Sequence, residues 1–267
     1  MTIDLHSISW GMQDDYISKM SSYSFTGEFV ETRTIIFKGN QIRKNIVTFT
    51  DNNDANRNYG YTNIRFKGDP NQIESIKLEL GGCLFDSIHP RIMQKLSTFP
   101  IMDQNILPAL HTHQFNKGLI IAEHTGDLEI AYDVMHITNP LKENGNCEIL
   151  YDFTQYYGSE KLSGSMAKVR LVCNHPTTKI NVITDKPIFD VIMHIVPGVY
   201  YPLTLNSSGP NWTYEYTFDK SINFSKIDCP YIECRLQKDI ETTMDIFATS
   251  SNVFCIDNYA FGIRFSN

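Results

Sequence analysis

The sequence predicts an all-β fold with very little helix, arranged as two tandem eight-stranded antiparallel jelly rolls (a double jelly roll). Three observations lead to this prediction. Short runs of β-branched and aromatic residues recur between turns rich in Asn, Asp, Gly and Pro. Several of these runs alternate apolar and polar residues, as strands that bury one face do. One eight-stranded jelly roll takes on the order of 100 residues, so a chain of 267 residues has room for two.

The predicted elements follow one another as strands with few helices. A helix is predicted at 12–20, and a second at 89–96, where Pro90 suits a first helical turn. Alternation predicts strands at 63–67, 75–80 and 167–172. Further strands are predicted at 31–38, 42–50, 118–123, 127–137, 147–154, 178–184, 189–196, 211–218, 231–236, 242–248 and 252–256. Many short strands and almost no helix favour a sandwich or jelly roll over a βαβ fold.

A polar linker and a faint internal repeat predict where the chain divides. The linker is Asn139-Pro-Leu-Lys-Glu-Asn-Gly-Asn146. The repeat appears when the sequence is aligned with itself at a shift of 116 residues. Phe37 then aligns with Phe153, Ile64 with Ile180, Leu128-Glu-Ile with Met244-Asp-Ile, and 76–82 with 192–198. The predicted division is an N-terminal arm at 1–22, a first jelly roll at 23–140 and a second at 146–267.

Charge and cysteine usage exclude some classes of protein. The formal net charge is −7 and neither end carries a basic tail, which argues against direct nucleic-acid binding because that requires clustered Lys and Arg. The first 20 residues lack a signal-peptide pattern, and no run of about 18 apolar residues occurs. We therefore expect a soluble, unsecreted protein. The six cysteines form no CxxC pair and are expected to be free, mostly buried thiols.

One group of histidines has the spacing of a metal site. His111 and His113 lie two apart on a predicted strand entry, and Glu123-His124 follows. Cupins, which are jelly-roll metalloenzymes, use such a pair with an acid soon after it, but Gly118 stands near that place here. We expect packed or hydrogen-bonded histidines, and a cupin-like metalloenzyme is one alternative.

No other pattern identifies a catalytic, cofactor-binding or metal-binding residue, and none is assigned. The chain contains no GxSxG elbow and no phosphate-binding Gly loop. Gly81-Gly82 is expected to form a tight turn, and Asp51-Asn-Asn-Asp54 a solvated loop. The Asn-x-Ser/Thr triplets at Asn206, Asn211 and Asn223 are interpreted as turn chemistry.

Aromatic residues concentrate in the second half and suggest a contact surface. Tyrosine and tryptophan supply large buried areas at subunit contacts, although many of these side chains could belong to the core. They also motivate a second alternative, a carbohydrate-binding jelly-roll module. The residues concerned are Tyr156, Tyr157, Tyr200, Tyr201, Trp212, Tyr214 and Tyr216.

Five stretches carry a likeness to one family. The first is Ile73-Glu-Ser-Ile-Lys-Leu-Glu-Leu-Gly-Gly-Cys-Leu-Phe-Asp86, followed by Ile106-Leu-Pro-Ala-Leu-His-Thr-His-Gln-Phe115 and Leu128-Glu-Ile-Ala-Tyr-Asp-Val134. The fourth runs from Ser163 through Asn174-His175-Pro176 to Ile183, and the fifth from Phe247 to the terminal Ser266-Asn267. In this order they resemble the double jelly-roll major capsid proteins of large nucleo-cytoplasmic DNA viruses. The chain is a short, divergent version without the family's Asp-Glu-Arg-Arg-Arg stretch after the first barrel.

The resemblance implies a structural, non-enzymatic role. It implies a virus capsid protein whose homotrimers have a pseudo-hexagonal outline and tile an icosahedral shell. The implied partners are further copies of the chain and neighbouring capsid or cement proteins, with an inner membrane nearby and neither nucleic acid, cofactor nor small-molecule substrate bound. The implied location is the virion capsid, assembled in the cytoplasm of the infected host cell. A minor capsid paralogue and a transient assembly scaffold remain open as alternatives.

Overall fold

The chain divides into two compact units. The computed structural model describes residues 5, 10–39, 43–49, 59–80, 82–93, 95–96, 99, 105–108, 118–141, 145–209, 211–238, 240–257 and 260–265. The first unit contains residues 21–153 and 252–266, and the second unit contains residues 1–20 and 154–251. Among the described residues, no helix has both the length and the apolar character needed to cross a membrane.

Two short α-helices with described bounds accompany the strands. They are α1 (Met12–Lys19) and α2 (Pro90–Met93); the first confirms the helix predicted at 12–20, and the second is shorter than the one predicted at 89–96. In α1 the Asp14 side chain accepts the Gly11 N–H at 3.0 Å, and Asp15 and Lys19 form an i,i+4 ion pair at 2.6 Å. Both acids stand in the first turn and the lysine in the last, where each charge suits the helix dipole.

The strands of the first half are, in chain order, β1 (Gly27–Phe37), β2 (Arg43–Phe49), β3 (Tyr59–Gly68), β4 (Ile73–Leu80), β5 (Cys83–Ile88), β6 (Leu107–Pro108), β7 (Gly118–His124) and β8 (Leu128–Ile137). Those of the second half are β9 (Asn146–Leu162), β10 (Met166–Arg170), β11 (Pro176–Thr184), β12 (Asp190–Val196), β13 (Val199–Pro202), β14 (Thr204–Ser207), β15 (Trp212–Asn223), β16 (Tyr231–Arg235), β17 (Thr242–Asp257) and β18 (Ala260–Ile263).

The same strand order occurs twice along the chain. In the first half, one sheet has the order β1-β8-β3-β6 and the other β2-β7-β4-β5. In the second half, β9, β17, β11 and β15 follow one another in one sheet, with β14 added beyond β15 and β18 beside β17. The other sheet has the order β10-β16-β12-β13. If β14 and β18 are set aside, each half pairs its strands as 1-8-3-6 and 2-7-4-5, which is a jelly roll. The predicted double jelly roll is therefore confirmed.

Alternating side chains fill the core of each half. In β4 the buried residues alternate with half-buried or exposed ones, so that Ile76, Leu78 and Leu80 lie on one face. In β12 the same alternation buries Val191 and Met193. Leu5, from the N-terminal arm, is buried in the core of the second unit.

The N-terminal arm belongs to the second unit through hydrogen bonds as well. The Gln13 side chain donates to the Ser251 carbonyl at 2.9 Å, and its oxygen lies 3.1 Å from His175 Nδ1. Ser221 donates to the buried carboxylate of Asp14 at 3.2 Å. These contacts tie residues that are more than 150 positions apart in the chain.

Several strands differ from the predicted ones. The runs predicted separately at 242–248 and 252–256 form the single strand β17, so that division was wrong. The chain also contains β5, β6, β13, β14 and β18, which the sequence pattern did not indicate. Of these, β6, β13, β14 and β18 have four residues or fewer, which is too short for a visible alternation.

Candidate assembly surfaces

Exposed apolar side chains in the described strands lie on the edges of sheets. β1, β2, β5, β9, β10, β13 and β14 each have a neighbouring strand on one side only within the described residues. Nine large apolar side chains that are exposed within strands all belong to these edge strands: Phe29, Val30, Ile36, Ile46, Leu84, Tyr156, Met166, Tyr200 and Leu205. An edge strand with exposed apolar side chains is a ready site for contact with another chain.

β1 combines this apolar edge with features that limit uncontrolled pairing. The register shifts between Phe29 and Glu31, so Val30 is the extra residue of a bulge. Glu31 also forms an ion pair with Arg33 at 2.7 Å. A bulge and charged side chains are common devices that restrict strand addition at an edge, so contact here would use side chains more than the backbone ladder.

The outer face of the sheet β10-β16-β12-β13 carries a row of aromatic and basic side chains. The strand registers place Arg170, Tyr231, His194 and Tyr200 side by side across the four strands. We call these four residues the ring row. Ala167 and Val169 of β10 pack against the core, while Met166, Lys168 and Arg170, which alternate with them, are exposed. The ring row, which includes Arg170, therefore lies on the solvent side.

The rings of this row stand against one another. The His194 and Tyr231 rings are stacked, with centroids 4.6 Å apart and planes at 10°. Lys168 Nζ lies 4.8 Å from the Tyr231 centroid and 3.5 Å from the Glu233 carboxylate, a cation–π geometry. Tyr231 therefore has His194 stacked on its ring and Lys168 close to its centroid, while Tyr200 is 63% exposed.

A polar cluster joins three strands of the first unit around Asp133. Its carboxylate accepts hydrogen bonds from Thr32 at 2.7 Å, from Asn63 at 2.8 Å and from Arg65 at 2.9 Å. Asn63 has a positive φ of 50°, within a register shift of β3 against β8. Burial alone would raise the pKa of Asp133, but the hydrogen bonds from Thr32 and Asn63 and the charge of Arg65 hold it below its ordinary value. The carboxylate stays ionised and joins β1, β8 and β3.

The histidines that suggested a metal site are only partly described. His111 and His113 lie outside the described residues, as does Asp51-Asn-Asn-Asp54. His124 is buried: its Nδ1 lies 2.6 Å from the Gly126 carbonyl and its Nε2 2.6 Å from the Asn45 amide nitrogen. A carbonyl only accepts, so Nδ1 donates and Nε2 accepts from Asn45. His124 is thus a hydrogen-bonded histidine, while the expectation of packed or hydrogen-bonded side chains for His111 and His113 stays a prediction. Over the part of the chain that the structure describes, no three His, Cys, Asp or Glu side chains are grouped to hold a metal ion.

Gly82 and one Asn-x-Ser triplet lie in the predicted turns. Leu80 pairs with Cys83 across a hairpin, and Gly82 in the connection has a φ of +81°, which favours glycine; Gly81 lies outside the described residues. Asn223 accepts from the Ser225 N–H at 3.2 Å and from its hydroxyl at 2.6 Å, as the turn interpretation predicts. Asn206 lies in the exposed strand β14 instead.

All six cysteines are free thiols. Cys173 and Cys234 are buried, Cys83, Cys147 and Cys255 are half-buried, and Cys229 is exposed. Burial raises the pKa of Cys147, Cys173 and Cys234 to about 12. Such thiols are protonated at neutral pH and therefore poor nucleophiles.

The tyrosines and the tryptophan singled out by the sequence divide between core and surface. Tyr214 is a core residue whose hydroxyl donates to the Ile188 carbonyl at 3.0 Å and accepts its N–H at 2.7 Å. Tyr200 and Tyr156 are exposed on edge strands. The other four, Tyr157, Tyr201, Trp212 and Tyr216, pack partly buried against the core. The ring row and the Asp133 cluster were not predicted, because each joins residues from separate strands.

Known structures share this fold although sequence comparisons find no relative. No protein-family model matches the sequence, and no curated protein is significantly similar to it. PBCV-1 VP54, in a crystal structure fitted into a reconstruction of the virophage Sputnik, matches with a TM-score of 0.65 and 12% identity, over 94% of this chain and 100% of that one. A quasi-atomic model of the PBCV-1 capsid matches with a TM-score of 0.63, the same identity and the same coverage. The major capsid protein of bacteriophage PM2 aligns with a TM-score of 0.45 and 11% identity, over 86% of this chain and 96% of that one. At these identities the likeness to PBCV-1 VP54 establishes the fold.

Proposed function

We propose that the protein is a structural virus capsid subunit, a double jelly roll whose homotrimers tile an icosahedral shell. The observation that carries the proposal is the 1-8-3-6 and 2-7-4-5 strand order found twice in one chain. It is supported by the match to PBCV-1 VP54 over 94% of this chain. We propose the virion capsid, assembled in the host cytoplasm, as its location, and a non-enzymatic role.

Geometry explains why a duplicated jelly roll suits a tile. Three copies around one axis bring six jelly rolls together, which gives a pseudo-hexagonal outline from a threefold assembly. A closed ring of three requires a heterologous contact, in which one surface of a copy meets a different surface of the next. The apolar side chains on the edge strands of both units, such as Phe29 of β1 and Met166 of β10, supply different surfaces for such contacts.

The proposed partners are further copies of the chain and neighbouring capsid or cement proteins. Stable trimers of this kind bury on the order of 2,000 Å² or more at each interface. The net charge of −7 keeps free subunits soluble and disfavours direct contact with nucleic acid. A carbohydrate-binding role is less well supported, because Tyr231 and His194 of the ring row stack on each other.

The mass of the purified protein in solution tests the proposal. Light scattering over a hundredfold range of concentration, with negative-stain images of the same sample, is expected to give a particle of three times 30.6 kDa with a hexagonal outline. Charged substitutions at two apolar edge positions, Phe29→Asp and Met166→Asp, are expected to weaken the trimer. Gln237→Glu, at an exposed position outside the strands, adds the same charge and is expected to leave the trimer intact. A monodisperse monomer at every concentration would contradict self-trimerisation and leave a partner-dependent minor capsid protein or a transient scaffold.

A further inference from the structure

A buried carboxylate lies in an edge strand of the first unit. Asp86 belongs to β5, which pairs with β4 alone among the described strands. The register shifts between Leu78 and Glu79, so that Leu78 faces Asp86 and Glu79 faces Leu84, and Phe85 is the extra residue of a bulge. Asp86 is 5% exposed and Phe85 is fully buried. The bulge therefore buries two consecutive residues of one strand, where simple alternation would bury one.

Asp86 has few groups that could stabilise a negative charge. Its Oδ1 accepts the Ser87 N–H at 2.8 Å, and no ion pair to it occurs within the described residues. On β4, Lys77 stands opposite Ser87 and Glu79 opposite Leu84, so neither is its cross-strand partner. A carboxylate without a cation is costly to bury, and such a group remains protonated instead.

Tyr151 of β9 is a titratable group whose pKa is affected by the charge of Asp86. Burial raises the pKa of Tyr151, and the charge of Asp86 raises it further. The Tyr151 hydroxyl is buried, and no hydrogen-bond partner to it is found within the described residues. Phe85 anchors the strand here: its ring lies edge-on to Phe254 with centroids 4.8 Å apart, and 5.8 Å from Tyr151. Burial raises the pKa of Asp86 to about 7, against a smaller opposing effect of the Ser87 hydrogen bond.

We propose that Asp86 is a proton-controlled latch on the edge strand β5: the neutral acid holds the strand closed, and loss of the proton favours its local opening. β5 is suited to such opening because its release breaks one strand ladder, with β4, whereas an inner strand would break two. Opening would hydrate the carboxylate and expose Phe85, which is fully buried in the closed strand. The inference concerns the folded first unit and does not depend on the proposed trimer.

The sign and size of the effect follow from proton linkage. In an open, hydrated strand the carboxyl has an ordinary pKa near 3.9, whereas closed it stays protonated up to about pH 7. Between these values, opening releases one proton, so the opening equilibrium constant rises about tenfold for each pH unit. Above pH 7 the opening equilibrium constant no longer changes with pH, because the carboxyl is ionised in both the closed and the open strand. From pH 5 to pH 7 the expected change is on the order of 100-fold.

Amide hydrogen exchange of the full-length chain, followed by mass spectrometry, tests the latch. The amide exchange rates of the peptide that covers Cys83–Ile88 are measured from pH 5 to pH 8. Each rate is corrected for the intrinsic pH dependence of amide exchange. The wild type is expected to lose protection about 100-fold between pH 5 and pH 7. The peptide covering β13, the strand in the equivalent position of the second jelly roll, serves as the internal reference and should remain flat.

Three variants separate the carboxyl from its surroundings. Asp86→Asn keeps the shape but cannot ionise, and should remove the pH dependence in β5. Tyr151→Phe keeps the ring and should retain the dependence, because the latch is the carboxyl. Asp127→Asn, which removes an exposed carboxylate paired with Lys38, should match the wild type. Equal pH dependence in β5 for wild type and Asp86→Asn overturns the proposal. If Asp86→Asn does not fold, wild-type protection in β5 that is flat with pH overturns it equally.

Discussion

Two isoleucines in equivalent strands test the repeated architecture quantitatively. Ile64 of β3 and Ile180 of β11 are each fully buried, and both strands occupy the third position in their jelly rolls. Ile64→Val and Ile180→Val each remove one methylene from a packed core. The lost transfer free energy is about 0.8 kcal/mol, and the cavity term brings the usual cost to about 0.5–1.5 kcal/mol. Ile36→Val is the matched control, since Ile36 is 59% exposed and should change stability by less than about 0.5 kcal/mol.

Urea unfolding at one fixed protein concentration provides the assay. A chain with two units can unfold in more than one step, so each free-energy change is taken from the shift of its own transition at constant slope. The double variant is expected to lose the sum of the two single effects, because Ile180 belongs to the core of the second unit and Ile64 to the first unit. The reasoning is refuted if Ile36→Val costs as much as either core variant. Strong coupling between the two core sites would equally refute the assignment to separate cores.

Three further outcomes are expected. Tyr214→Phe should cost about 1–3 kcal/mol in urea unfolding, because it leaves the N–H and the carbonyl of Ile188 without their partner. Asp133 has a lowered pKa, so the stability that its ionised form contributes should be present above the ordinary carboxylate pKa and be lost on acidification. In thermal unfolding measured over a series of pH values, Asp133→Asn should therefore reduce the loss of stability at acidic pH. Exposed Cys229 should be alkylated at pH 7.5 before buried Cys234, whose pKa is raised to about 12; mass spectrometry of the native protein would contradict this if both reacted at one rate.

The faint repeat at 116 residues located equivalent strands correctly. Ile64 and Ile180 fall in the third strand of each half, Ile76 and Ile192 in the fourth, and Leu128 and Met244 in the eighth. Alternation is set by the pleat of a strand and by which face it buries, so it survives divergence that removes sequence identity. That is why the fold class and most of the longer strands could be predicted from one sequence, although β5 and four short strands were missed.

The bounds of the compact units carry no signal in the sequence. The polar linker at 139–146 predicts a boundary between jelly rolls, with 146–267 as the second, and that division stays a prediction. The compact units divide within β9 and within β17, at 153/154 and 251/252. A strand that continues from one unit into the next carries no turn signal at the division, so composition cannot reveal it. The position of the N-terminal arm carries no sequence signal either. The pattern around Gln13 and Asp14 predicts a helix, but no neighbouring residue indicates their hydrogen bonds to Ser251 and Ser221.

Asp86 and Asp133 show why the candidate sites could not be read from the sequence. Both are aspartates within strands, each preceded by an aromatic residue, in Phe85-Asp86 and Tyr132-Asp133. Asp133 receives hydrogen bonds from Thr32, Asn63 and Arg65 on two neighbouring strands, whereas Asp86 receives one from the next residue along the chain. Burial raises the pKa of both carboxyls, and it prevails at the more deeply buried Asp86, whereas the hydrogen bonds and the Arg65 charge outweigh it at Asp133. An ionised carboxylate therefore joins strands in one sheet, while a neutral one in the other sheet makes its strand sensitive to pH, and only the three-dimensional register distinguishes the two.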